Sequence, residues 1–411
     1  MDSDKTQAGI QSSFLVHPVA IAIWVVVCVW SALLAHTLLA VFSGFIFALT
    51  LCSLVWGRLS LRGVRYELTI PQSELFPGQS LWLTRTVYNG KMLPLLWLEL
   101  LEPCDPDGCA VPDSKFIVPN PEATEEKPED AWRCLYSFAL LKWHQTLTFS
   151  DLWTAKHRGI HRVAEITIRS GDGFSLCTAG SQMTMEPARQ IVVYPQLTEV
   201  SVDAILNNMW DSRSRSSGYL EDVTLMKSVR DYTVRDPARR INQRLLARGQ
   251  GLKVNQYEVV TPSDVLFALD AASFKGRESE AFERVLSILA SLITGLSQRG
   301  IQVGLLAPRS AYFPQTYVKP AGGEAELRHM LTLLAAAGQA DLPLTDSVDA
   351  AAPELLGQVY YVAFSEKAAT SLRVLAQVPP HKAELLVFET GEPAEGHALR
   401  AREITQFWRA S

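Results

Sequence analysis

The sequence predicts a multidomain protein: a transmembrane helical hairpin over residues 1–60, an antiparallel β-sandwich-like domain over 61–200, an arginine-rich connecting segment over 201–260, and an α/β domain over 261–411. Three observations predict this order. Phe14–Gly57 contains no Asp, Glu, Lys or Arg, the region after Arg62 breaks into short alternating runs, and from Ser263 apolar strand-like runs alternate with helix-spaced ones.

The hairpin follows from length. One helix over the charge-free stretch would extend roughly 65 Å, about twice the hydrocarbon core of a bilayer. Two spans, Phe14–Leu34 and Leu38–Trp56, resolve this, with Ala35-His36-Thr37 as the turn and Trp56 at an interfacial position. Arg58, Arg62 and Arg65 follow at once, whereas the turn carries only His36. The positive-inside bias then places both chain ends in the cytoplasm. The expected location is the inner (cytoplasmic) membrane, multi-pass, with the soluble domains facing the cytoplasm. A cleaved signal peptide fits poorly, because Asp2 and Asp4 stand where positive charge belongs and apolar sequence resumes after the turn.

The middle region reads as strands. Tyr66–Ile70 and Leu81–Tyr88 alternate, with Phe76-Pro77-Gly78 between them and the turn dipeptide Asn89-Gly90 after. Further strands are expected at Leu95–Leu101, Cys134–Leu141, Gln145–Phe149 and Val163–Ile168, a spacing that suits a small antiparallel sandwich. Residues 103–130, with six prolines amid acids, read as a surface loop or mobile insert. His157 and His161 have the spacing of a helical metal pair but flank Gly159 in strand-like surroundings, which favours solvated or turn histidines. Six scattered cysteines without a CxxC favour free thiols over zinc ligands and suit a reducing compartment.

The C-terminal region alternates strand and helix: Val265–Asp270, helix Ser279–Leu296, Ile301–Ala307, helix Glu324–Ala337, Gln358–Phe364, helix Glu366–Ala376, Glu384–Phe388, and a closing helix near Leu399–Trp408. This predicts a mostly parallel sheet covered on both faces, with ligands at the carboxyl ends of strands. Asp270 stands at such an end, and no glycine-rich phosphate loop precedes a helix.

The connecting segment is the least ordinary stretch. Between Ser212 and Glu258 it carries Arg213, Arg215, Lys227, Arg230, Arg235, Arg239, Arg240, Arg244 and Arg248 against four carboxylates before the closing Glu258. A solvated, salt-bridged connector is the plainer reading; an arginine cluster for an acidic partner or phosphate is the sharper one.

Here the chain resembles the membrane proteins grouped as domain of unknown function 58. Their pattern, arginine-x-tyrosine, glycine-aspartate, arginine-x-isoleucine-x-tryptophan, alanine-arginine, tyrosine-glutamate and a strand ending in aspartate, is matched by Arg230-Asp231-Tyr232, Asp236, Arg239-Arg240-Ile241, Ala247-Arg248, Tyr257-Glu258 and Asp270. Arg235 replaces the usual glycine and Gln243 the usual tryptophan, marking a divergent member. Arg158-Gly159, Asp172-Gly173-Phe174 and Val193-Tyr194-Pro195 also resemble the family's sandwich-end motifs.

The resemblance implies a von Willebrand A-like C-terminal domain and a bacterial protein partnered by a MoxR-type AAA+ ATPase. It also implies a role in assembling or maturing envelope protein complexes, and it supplies no catalytic residues. Arg230, Tyr232, Asp236, Arg239, Arg248 and Asp270 are the expected partner-binding or structural-network residues. The expected function is that of a non-enzymatic membrane adaptor without a cofactor, with the bilayer and the ATPase as partners.

A hydrolase or transferase with an unrecognised α/β site is the alternative, although no Gly-x-Ser-x-Gly elbow or HExxH appears. Nucleic-acid binding is disfavoured by the net charge of −5 and by arginines without interleaved aromatics. No small-molecule substrate is evident. A-type domains that bind a divalent ion end the first strand in Asp-x-Ser-x-Ser. Here Ala272 and Phe274 occupy the hydroxyl positions and Lys367 lies in the loop after the third strand. The metal site is therefore expected to be lost, with Asp270 capping the following helix or pairing with an arginine.

Overall fold

The charge-free stretch folds as two helices turned back on each other. In the computed structural model, α1 covers Pro18–Leu33 and α2 covers Thr37–Ser60. The structure describes residues 5–113, 117–120, 131–203, 205–206, 221–233, 236, 241–259, 264–344, 358–370, 383–389 and 400–408. Pro18 opens α1, where a missing N–H costs nothing. Ala35 turns the chain at φ 57°, and the N–H of His36 donates to Ser31 O at 3.0 Å. The helices meet through small residues: Gly44 lies against Cys28, and the Ser43 hydroxyl returns its proton to Leu39 O at 2.7 Å. The first helix is shorter than the expected span, because Phe14–Val16 forms a separate 3-10 turn. Among the described residues, α2 alone is long and apolar enough to cross a membrane by length and composition.

Two compact units divide the chain, Met1–Pro195 and Gln196–Ser411. The first joins the helix pair to a two-sheet assembly. Its strands are β1 (Lys5–Ser12), β2 (Val64–Thr69), β3 (Glu74–Leu75), β4 (Ser80–Asn89), β5 (Leu95–Cys104) and β6 (Ala110–Pro112). There follow β7 (Ile117–Pro119), β8 (Trp132–Leu141), β9 (Thr146–Ala155), β10 (Gly159–Gly171) and β11 (Cys177–Val193). One sheet runs β1-β11-β10-β5-β8-β7, with β3 added beside β11, and the other runs β2-β4-β9-β6. Strands β6 and β7 lie inside the stretch expected to be loop, where short edge pairing with β9 and β8 overrides the prolines. Strand β1 was invisible in the sequence: Lys5–Ser12 has no apolar alternation and is ordered by backbone pairing to β11.

Alternation along β4 points Leu81, Leu83, Arg85 and Val87 inward, so a cation enters the core by register alone. Glu102, inward from β5 in the opposite sheet, receives it: Arg85 Nε donates to Glu102 Oε2 at 2.6 Å, and both side chains are fully buried. A second polar link between the sheets runs from Tyr136 Oη to Asp151 Oδ2 at 2.6 Å. Burial pushes the Glu102 carboxyl up against the pull of Arg85.

His161, expected as a solvated or turn residue, instead lies in β10 with its ring 5.0 Å from that of Trp153. Burial, with Arg85 assisting and Asp105 opposing, pushes its pKa down to about 4. The folded state thus refuses a proton that the unfolded chain accepts below its ordinary value near 6.5, so stability falls as pH drops from about 6.5 towards 4. His161→Phe should remove about 2 kcal/mol of the stability difference between roughly pH 7.5 and pH 5. Denaturant titrations of both proteins at the two pH values measure this, and parallel pH profiles would refute it.

The second unit holds the hairpin β12 (Glu221–Asp231) and β13 (Lys253–Val259), with the short helix α3 (Gln243–Ala247) between them. Its larger sheet is built from β14 (Asp264–Leu269), β15 (Gln302–Ala307), β16 (Thr316–Ala321), β17 (Gln358–Ala363), β18 (Ala383–Val387) and β19 (Arg400–Glu403), in the order β16-β15-β14-β17-β18-β19. All neighbours are parallel except β15 and β16. Helix α4 (Ser279–Gln298) buries Phe282, Val285, Leu286, Leu289, Leu292 and Ile293, the face its spacing predicts, and α5 (Glu324–Ala336) follows.

The expected closing helix is instead a strand. Glu384 to Val387 align with Arg400 to Glu403, Arg402 pairs with Glu384 at 3.2 Å, and Ile404–Phe407 is a 3-10 turn. A vacant edge of a parallel sheet outweighs local helix propensity here. The expected helix Glu366–Ala376 is a turn over 366–368, and its residues beyond Thr370 lie outside the described residues.

Candidate functional site

The sequence-selected residues fall into two places in the second unit. The first is the end of the β12–β13 hairpin. Arg230 grips Asp236 in a two-pronged bond, Nη1 to Oδ2 at 2.7 Å and Nη2 to Oδ1 at 2.5 Å. The N–H and hydroxyl of Thr233 also donate to Oδ2, at 2.9 and 2.7 Å. Arg230 first, then Thr233, holds the Asp236 carboxyl well below the usual carboxylate range. This fixes the turn that leaves β12. Tyr232 is half-buried there, its N–H donating to Leu252 O at 3.0 Å, and Asp231 pairs with Lys253 at 2.7 Å.

Helix α3 is pinned to the hairpin by Asn242. Its side-chain oxygen caps the N–H groups of Arg244 and Leu245, while its amide donates to Asn255 Oδ1 at 2.6 Å. Arg248 ends the helix, and both it and Arg244 are exposed. The clamp therefore separates Arg230 and Asp236, engaged with each other, from Arg244 and Arg248, which face solvent. Arg239 lies outside the described residues.

The second place is the carboxyl end of β14. Asp270 is fully buried. Its Oδ2 accepts from Tyr361 Oη and from the Thr370 N–H, and its Oδ1 from the Thr370 hydroxyl, each at 2.7 Å. Asp270 was expected to cap the following 3-10 turn or pair with an arginine; among the described residues it does neither. Instead it ties the loop after β17 to the centre of the sheet. Ser273 assists, accepting from the Phe364 N–H at 3.0 Å and donating to Asp270 O at 2.6 Å. Sequence reasoning missed Tyr361 and Thr370, because nothing local marks residues 91 and 100 positions away. Among the described residues, no three His, Cys, Asp or Glu side chains converge as metal ligands.

Fold and sites define a two-unit protein: an N-terminal apolar helix pair built into a β-sandwich, and a sheet-centred C-terminal unit with a clamped hairpin before it. The chain is 23% identical over 280 residues to the uncharacterized protein YeaD of Bacillus subtilis, a match covering 67% of this chain and 63% of that protein's length. No family model matches. Among solved structures, the sporulation control protein Spo0M of Bacillus subtilis aligns at 11% identity and a TM-score of 0.17 over 39% of this chain and 58% of its own. The CARDB domain of the PF1109 protein of Pyrococcus furiosus aligns at 11% and 0.18, over 32% and 91%. Scores this low carry neither fold nor function over.

Proposed function

We propose that this chain is a membrane-anchored, non-enzymatic adaptor of the kind grouped as domain of unknown function 58, docking a MoxR-type AAA+ ATPase during assembly of envelope protein complexes. One observation supports the reading: the sheet order β16-β15-β14-β17-β18-β19, parallel except where β16 joins β15, is compatible with the mostly parallel α/β domain that the resemblance implies. The clamped arginine hairpin immediately before it adds support. The helix pair anchors the protein in the cytoplasmic membrane. Pairing of β1 with β11 favours both ends of the helix pair lying on one side, and Arg58, Arg62 and Arg65 favour the cytoplasmic side.

Within this reading, the exposed Arg244 and Arg248 face the ATPase, and the Arg230–Asp236 clamp positions them. Arg248→Glu with Arg244→Glu should leave melting unchanged and lower recovery of the ATPase on the detergent-solubilised protein by about ten-fold, as expected for losing two interfacial charges. Unchanged recovery from a normally folded variant would refute docking through this segment.

A further inference from the structure

The helix pair leaves the first unit at one end of the sandwich, and that end has a composition of its own. Ser53 donates to Asp172 Oδ2 at 2.5 Å, and Asp172 Oδ1 accepts the N–H groups of Leu176 and Cys177, so α2 is tied to the β10–β11 turn. One turn further on, a Cβ on Gly57 would lie 2.3 Å from Cys177 Sγ, so only glycine permits this approach. At the end of α2, Lys91 donates to Ser60 O. Asn89 joins the neighbouring loops, its amide donating to Leu93 O and Lys142 O at 3.0 Å each. Trp97 Nε1 donates to Asp172 O at 3.0 Å, closing the circle. The β4–β5, β8–β9 and β10–β11 loops therefore ring the base of the helix pair.

Their tips are apolar and exposed: Met92 by 81%, Trp143 by 59% and Phe174 by 68%. Exposed Arg58 and Arg62, at and just after the end of α2, and exposed Lys142, beside Trp143, belong to the same end. Across residues 58–65, 89–95, 140–146 and 172–177 the one carboxylate is Asp172, which is buried and hydrogen-bonded. The opposite end of the sandwich carries exposed Asp105, Asp107 and Asp113. A net charge of −5 thus conceals a cationic, aromatic-tipped end where the helices emerge.

The helix pair is also short. The 16 residues of α1 extend about 24 Å, against a hydrocarbon core of about 30 Å. Level with its start, α2 is already held by the sandwich through Ser53. An inserted helix pair of this length leaves no room for a gap between sandwich and bilayer.

We infer that this end of the sandwich is a lipid-facing collar. Met92, Trp143 and Phe174 sit at headgroup depth, and Arg58, Arg62 and Lys142 contact anionic lipid phosphates. Tryptophan beside basic residues is the composition of a membrane interface, and continuity with the helix pair selects lipid as the occupant. The inference rests on the helix pair being a membrane anchor.

The test uses the full chain in nanodiscs of mixed phosphatidylglycerol and phosphatidylcholine, with a photoactivatable benzophenone side chain replacing Met92, Trp143 or Phe174. Gln79, at the opposite end, is the negative control and Trp30, in α1, the anchor control. Phospholipid adducts at the three loop positions should exceed those at Gln79 by about five-fold, and should fall when phosphatidylcholine replaces the anionic lipid while those at Trp30 persist. Loop adducts no higher than at Gln79, with Trp30 reacting, would overturn the collar and leave the anchor standing. Absence of adducts at Trp30 as well would overturn both. Loop adducts indifferent to lipid charge would overturn the role given to the cations.

Discussion

Arg85→Ala should destabilise the sandwich by about 3–5 kcal/mol, the cost of leaving a buried carboxylate without its counter-ion. The magnitude follows from position. Arg85 and Glu102 are both fully buried and bridge the two sheets, and the guanidinium also lies 4.7 Å from the Tyr136 ring centroid. Alanine would leave the fully buried Glu102 without the guanidinium that bonds it. The companion variant separates charge from packing. Arg85→Met with Glu102→Leu removes both charges and keeps the volume, and should recover most of the loss. Denaturant unfolding of the solubilised protein measures both. A single variant within about 1 kcal/mol of the wild type would show that the pair contributes no more than a surface salt bridge.

The second large effect is expected at Asp270. Asp270→Ala removes an acceptor for three hydrogen bonds and leaves the Tyr361 hydroxyl facing a small cavity. A cost of about 2–4 kcal/mol is expected, from unsatisfied buried donors and the released loop. Thr370→Val should cost less, since it removes one hydroxyl and keeps the backbone bond. Magnesium should not raise the melting temperature, because both Asp270 oxygens are already engaged and Ala272 and Phe274 offer no side-chain oxygen. Saturable stabilisation by magnesium that disappears in Asp270→Ala would reverse this conclusion.

Sequence by itself determined the helix pair, the β-rich middle and the alternating C-terminal unit. Absence of charge, period-two alternation and strand–helix order are properties of neighbouring residues, and each holds whatever the rest of the chain does. It also placed Asp270 at a strand end and brought Arg230 near Asp236, six residues apart and joined by one turn. Tertiary structure decided which groups each of the others met. Register turned Arg85 inward, and only the opposite sheet supplied Glu102. A vacant sheet edge made Arg400–Glu403 a strand, and backbone pairing alone made one of Lys5–Ser12. Asp270 found Thr370 rather than a cap or an arginine because the parallel sheet sets β14 beside β17. Hydrogen-bond partners and desolvation belong to neighbours in space, and residues a hundred positions apart share no local pattern that could announce them.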